Sequence, residues 1–143
     1  MKTMRLIIAM LLLTPFVSCS AQTSNKEVKA PESNSDKIDA YYFHFTARCV
    51  TCNTIEAKAK ENLEALYPQH IKSGLISFRS INLDDAGNKP LAKKLGIAGQ
   101  TLLLVKGDEK INITNEGFMY AMVKPEKFKE VINEKVEFLL TKK

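Results

Sequence analysis

Cys49 and Cys52, separated by Val50 and Thr51, are the residues of this sequence best equipped for chemistry. A Cys-x-x-Cys pair exchanges electrons through a disulfide or holds a metal through its thiolates. If Cys49 stands at the start of a helix, the unpaired amide groups of Thr51 and Cys52 face its sulfur and favour the thiolate. Arg48 adds a positive charge next to it. Cys49 is therefore the expected low-pKa nucleophile, and Cys52, one turn further in, the resolving thiol. The competing reading is an inert structural disulfide, although a ring closed over so few residues seldom exists for stability alone. His44, five residues before Cys49, admits two roles as well. It is a proton relay or third metal ligand, or else a hydrogen-bonded strand histidine.

A third cysteine, Cys19, needs its own explanation if the other two pair. The first eighteen residues have the layout of an export signal, with Lys2 and Arg5 ahead of an apolar run from Leu6 to Leu13. That run falls well short of the ~20 residues needed to span a bilayer. Its exit, Phe16-Val17-Ser18-Cys19, resembles a bacterial lipobox, with Phe16 where Leu is usual. On that reading Cys19 becomes the acylated N-terminus, and several acyl chains give a stable membrane anchor. The alternative is an ordinary cut near Ser20-Ala21. Residues 19–40 are then a lipidated cysteine and a flexible tether, rich in Ser, Asn, Lys, Glu and Pro and poor in large apolar residues. Export also places the remaining cysteines in an oxidising compartment.

The pair must be positioned by the domain expected over residues 41–143. Tyr41-Tyr42-Phe43-His44-Phe45 has the composition of a buried strand. Ile55, Ala59, Leu63 and Leu66 then form one apolar helical stripe, with Glu56 and Lys60 as an i,i+4 ion pair and Pro68 as the stop. Leu75 to Leu83 is a second strand, followed by a turn and a short helix from Lys89 to Leu95 closed by Gly96. Thr101 to Val105 and Lys110 to Thr114 read as a hairpin. Pro125 opens a last helix whose apolar positions are Phe128, Ile132, Val136 and Leu139. This order predicts an α/β fold, a mixed sheet with helices on both faces.

With 143 residues, 45% of them hydrophobic, the chain suits one globular domain. Its net charge of +5 includes Lys2 and Arg5 of the expected signal, which leaves a mild balance with no basic block. A nucleic-acid partner has no footing in such a sequence. Nor do hydrolase or nucleotide chemistry, since a phosphate loop, a carboxylate motif and a serine elbow are all missing from it.

The chain resembles the thioredoxin family across the expected domain. Ser80-Ile81-Asn82-Leu83-Asp84 looks like the family's strand ending in Asn-x-Asp, and Leu95-Gly96-Ile97-Ala98-Gly99-Gln100-Thr101-Leu102-Leu103-Leu104 looks like its Gly-Ile-x-Gly-x-Pro-Thr-Leu-Leu-Leu. The phrase from Tyr41 to Cys52 further resembles small exported proteins named as subunits linked to nitrophenyl-compound nitroreduction. The resemblance implies a thioredoxin-like fold and a thiol-disulfide oxidoreductase or electron-transfer module in the cell envelope. Its partners would be envelope thiol or disulfide proteins or a partner oxidoreductase, and it would use no cofactor beyond its own disulfide. Three departures stand out. Arg48 replaces the family's Trp, Gln100 precedes Thr101 where the family has its cis-proline, and the family's buried acid has no counterpart, Phe43 or His44 falling there. The missing proline motivates an alternative, a module that holds a soft metal or metalloid through Cys49 and Cys52 with His44. A redox-silent interaction domain is the third reading.

Overall fold

A computed structural model describes residues 36–142. The expected signal, the lipobox cysteine Cys19 and the tether up to residue 35 lie outside the described residues. The domain is laid out as strand β1 (Ile38–His44), helices α1 (Val50–Leu66) and α2 (Pro68–Ser73), strand β2 (Ile76–Asn82) and helix α3 (Lys89–Leu95). Strands β3 (Thr101–Lys106) and β4 (Glu109–Asn112) and helices α4 (Thr114–Tyr120) and α5 (Pro125–Thr141) complete it.

The four strands form one mixed sheet in the order β2-β1-β3-β4. β1 runs parallel to β2 and antiparallel to β3, which pairs antiparallel with β4. As an inner strand, β1 sends alternate side chains to opposite faces. Ile38, Ala40 and Tyr42 join a large core with Ile55, Ala59 and Leu63 of α1 and Phe128, Ile132, Val136 and Leu139 of α5. Tyr41 and Phe43 enter a smaller core with Ile81 and Ala92, covered by Leu91 and Leu95 of α3. The helices thus lie on both faces, as the sequence predicts.

Local chemistry sets the element ends. Gly96 takes a left-handed conformation (φ 76°) and closes α3, and Gly107 (φ 56°) opens the tight turn joining β3 to β4. Lys106 donates through Nζ to the carbonyls of Leu139 (2.9 Å) and Lys142 (2.7 Å), a cation at the negative end of α5. Tyr67 donates to Asn133 Oδ1 (2.8 Å) and lies 3.0 Å from Glu137 Oε1, which fastens the α1–α2 junction to α5. Burial, with that carboxylate beside it, raises the Tyr67 phenol well above its ordinary range.

Besides α2, which Pro68 opens where the sequence suggests only a stop, the structure departs from the sequence-based expectation at three places. β1 already includes Ile38, Asp39 and Ala40, assigned above to the tether: Asp39 hides the pattern by facing away, where it accepts from Ser77 and pairs with Lys37. β4 stops at Asn112, and the residues after it form α4 instead of more strand. Asn112 Oδ1 accepts from the Thr114 amide (3.0 Å) and hydroxyl (2.6 Å), a local turn that redirects the chain. Finally, Glu56 does not pair with Lys60. It takes Arg48, and Lys60 reaches Glu64 at 3.8 Å.

Candidate functional site

Cys49 is the N-cap of α1. Its backbone is extended (φ −78°, ψ 166°) and its Sγ accepts from the Cys52 amide at 3.2 Å. Of the two amides expected there, Cys52 provides the contact. The sulfur therefore sits where the unpaired N–H groups of the helix converge, which favours negative charge on it once the pair is reduced. Cys49 and Cys52 are joined as a disulfide, with Cα atoms 5.2 Å apart. Their environments differ sharply: Cys49 is exposed, whereas Cys52 is 6% exposed. Cys49 is thus the more accessible of the two.

Arg48 lies beside the pair but directs its guanidinium to the Glu56 carboxylate. Its charge is thereby largely balanced, and the helix terminus becomes the main source of positive potential at Cys49. Glu56 stands four residues after Cys52, on the same side of α1.

Gln100 precedes β3 and reaches beneath the first turn of α1. Its Nε2 donates to the Tyr42 hydroxyl, which donates to the Cys52 carbonyl at 2.8 Å. This chain of two hydrogen bonds ties the loop before β3, the inner strand and the cysteine helix together. Burial pushes the Tyr42 phenol up to about 12, so it stays a proton donor through the neutral range. Thr101 is buried and donates to the Gly99 carbonyl at 3.0 Å, a contact within its own loop.

His44 is not drawn into a metal cluster. Its Nδ1 donates to the Phe45 carbonyl at 2.9 Å and its ring stacks on Tyr42, 6.1 Å between centroids. Among the described residues no three His, Cys, Asp or Glu side chains gather in a metal-binding group. The expected Cys49, Cys52 and His44 ligand set is therefore not gathered in this disulfide form, in which the His44 Nδ1 is held by the Phe45 carbonyl. The nearby Asp84 carboxyl accepts from the Thr46 amide (2.8 Å), and that bond lowers its pKa.

Sequence reading missed Tyr42 and Glu56 as site residues. Glu56 carries a visible signal, its four-residue spacing from Cys52. Tyr42 reads simply as strand core, and only the sheet geometry reveals where its hydroxyl points. Exposed apolar side chains also collect in α4 and the turn after it, at Phe118, Met119, Met122 and Val123, and at Val50 next to Cys49.

The described residues form a mixed sheet in the order β2-β1-β3-β4, with a Cys-x-x-Cys disulfide at the head of the helix leaving β1; the mixed sheet is the one expected from the sequence. The fold is thioredoxin-like. No family model matches the chain, and no curated protein matches it. Among solved structures, the thioredoxin-like chain is similar to the germline-specific thioredoxin Deadhead from Drosophila melanogaster, with 15% identity and a TM-score of 0.44 over 69% of this chain and 81% of that one. It is likewise similar to a malarial protein, with 15% identity and a TM-score of 0.44 over 69% of this chain and 96% of that one.

Proposed function

We propose that the protein is a thiol-disulfide oxidoreductase of the bacterial cell envelope. The observation that carries this reading is the asymmetry of the pair, an exposed Cys49 at the α1 N-terminus backed by a buried Cys52. In the reduced form the Cys49 thiolate attacks a partner disulfide, forming a mixed disulfide and releasing one partner thiolate. Cys52, as thiolate, then attacks Cys49 Sγ and releases the second partner thiolate. The protein ends oxidised and the partner ends as a dithiol, with the two cysteine protons passed to the released thiolates. Run backwards, the same steps oxidise a partner. The exposed apolar residues Val50, Met122 and Val123 offer a rim for the chain that carries the partner's sulfur.

Two measurements test this. The reduction potential of the pair is expected within the range of about −120 to −270 mV spanned by exchange proteins, above the roughly −300 mV below which structural disulfides lie. The reduced protein should also turn over a small disulfide substrate in the presence of a dithiol. A potential below that structural limit together with no turnover would leave the disulfide a structural element.

Envelope placement rests on the sequence alone, on the lipobox-like run ending at Cys19 and on the resemblance to small exported proteins. Intact mass of the membrane-fraction protein should show an acylated N-terminal Cys19. A mature, unmodified terminus at Ala21 in the soluble fraction would refute the anchor and leave the exchange chemistry untouched.

A further inference from the structure

We propose that the reduced protein holds a soft monovalent cation, copper(I), in a three-sulfur site made of Cys49, Cys52 and Met122. Thr51, which lies between the two cysteines on the first turn of α1, donates its hydroxyl to Met122 Sδ at 3.2 Å. That contact brings a thioether to the same helical turn that carries both thiols. Core packing fixes the approach: Gly117 of α4 is buried against Ile55 of α1, so closely that a Cβ at Gly117 would lie 3.0 Å from Ile55 Cγ2. The turn bearing Met122 follows directly, and the methionine is 51% exposed, free to exchange the Thr51 hydroxyl for a metal by rotating its unbranched side chain.

The donor set selects the metal. Thiolate and thioether sulfurs prefer copper(I), whereas zinc(II) is almost always held by four ligands that include nitrogen, oxygen or further thiolates. His44, the third ligand offered by the sequence, does not gather with the two cysteines into a group of three among the described residues, whereas Met122 touches the turn that carries them. Two thiolates and one copper(I) carry a single negative charge, to which the thioether adds none. The α1 N-terminus lies beside that charge, Arg48 being paired with Glu56.

Binding needs the dithiol form. A small dithiol reduces the Cys49–Cys52 disulfide by exchange, becoming a cyclic disulfide itself. Copper(I) then displaces the two thiol protons to solvent with no change in its oxidation state. The site shares one premise with the proposed function, a reducible pair, and the experiment separates the two.

The full chain carrying Cys19→Ser, so that only the pair supplies thiols, is reduced with dithiothreitol, freed of excess reagent without air and assayed for two free thiols. It is then titrated with copper(I) against a chromophoric copper(I) chelator, beside the same chain with Met122→Leu or Met119→Leu. One copper per chain is expected, with affinity reduced roughly tenfold or more by Met122→Leu and unchanged by Met119→Leu. X-ray absorption should count three sulfur neighbours, falling to two in Met122→Leu. Two free thiols with no copper binding, or with affinity and sulfur count indifferent to Met122→Leu, overturn the three-sulfur site and leave the oxidoreductase reading standing. Failure of dithiothreitol to yield the two thiols overturns both.

Discussion

Cys49→Ser is expected to abolish turnover of disulfide substrates, whereas Cys52→Ser should stall the protein as a mixed disulfide with its partner. The two sulfurs are chemically alike, and their positions make the difference. Cys49 is exposed at the α1 N-terminus, where its sulfur accepts from the Cys52 amide, whereas Cys52 is 6% exposed. A nucleophile with no substitute at its position is worth at least about a thousandfold in rate. Cys52→Ser keeps the attack but removes the thiol that stands beside Cys49 to release its product, so a covalent adduct of the protein and one partner should build up. Gel migration without reductant distinguishes the cases: an adduct with Cys52→Ser and none with Cys49→Ser. The reverse pattern would transfer the nucleophile's role to Cys52.

The same asymmetry governs alkylation of the reduced protein. A free thiol titrates near 8.5, and helix N-termini bring cysteines down to about 3.5–7.5. Cys49 should therefore react first, at a pH below that of an ordinary thiol. Because Glu56 holds the Arg48 guanidinium, Arg48 contributes less than its sequence position suggests. Glu56→Gln would return that charge to the cysteine. A charge pair near the surface is worth about 1 kcal/mol or less, so the midpoint of the alkylation profile should fall by roughly half a unit, at 1.36 kcal/mol per unit. A midpoint that rises in Glu56→Gln would mean that Glu56 itself assists deprotonation.

How far the sequence reveals this molecule depends on the range of each interaction. The helical stripe Ile55, Ala59, Leu63 and Leu66 and the stripe Phe128, Ile132, Val136 and Leu139 are periodic over several turns, and all are buried as predicted except Leu66, which is half-buried at the end of α1. Cys49 at the head of α1 is legible because a cap is a local event. α4 is not, since seven residues with Gly117 in their midst carry neither a sustained stripe nor a side-chain cap, and the helix exists because Gly117 fits against Ile55. Likewise the Glu56–Lys60 spacing is favourable on an isolated helix, but Arg48 arrives from outside the helix and wins the carboxylate. The Gln100, Tyr42 and Cys52 chain joins three elements far apart in sequence. No local pattern encodes such a contact, so the sequence shows only that a glutamine stands at an unusual place.

Phe128→Ala is expected to be the most damaging single truncation of the core, and it separates the fold's stability from the chemistry at Cys49. Phe128 is 0% exposed in the large core shared by β1, α1 and α5, so its loss leaves a cavity that neighbours fixed in a sheet and two helices fill poorly. Such substitutions cost about 3–5 kcal/mol, a large part of a typical total of roughly 5–15 kcal/mol. Phe138 on the same helix provides the control. It is 48% exposed with Lys142 Nζ 5.4 Å from its ring centre, and losing an exposed cation–π contact of that kind costs about 0.5–1 kcal/mol. Both changes swap phenylalanine for alanine within α5, so helix propensity shifts equally and the difference reports burial. Near-equal losses in denaturant would contradict the placement of α5 on the sheet. The reduction potential reads a different quantity, the free-energy gap between the native oxidised and native reduced protein. Phe128 belongs to the core and is no partner in the hydrogen bonds around Cys49 and Cys52, so its cavity is expected to weaken both redox states alike. Phe128→Ala should therefore lower the midpoint of unfolding while the potential measured under native conditions stays at its wild-type value. A potential that moves together with stability would show that core packing strains or relaxes the first turn of α1, and that the redox site is not energetically separate from the core beneath it.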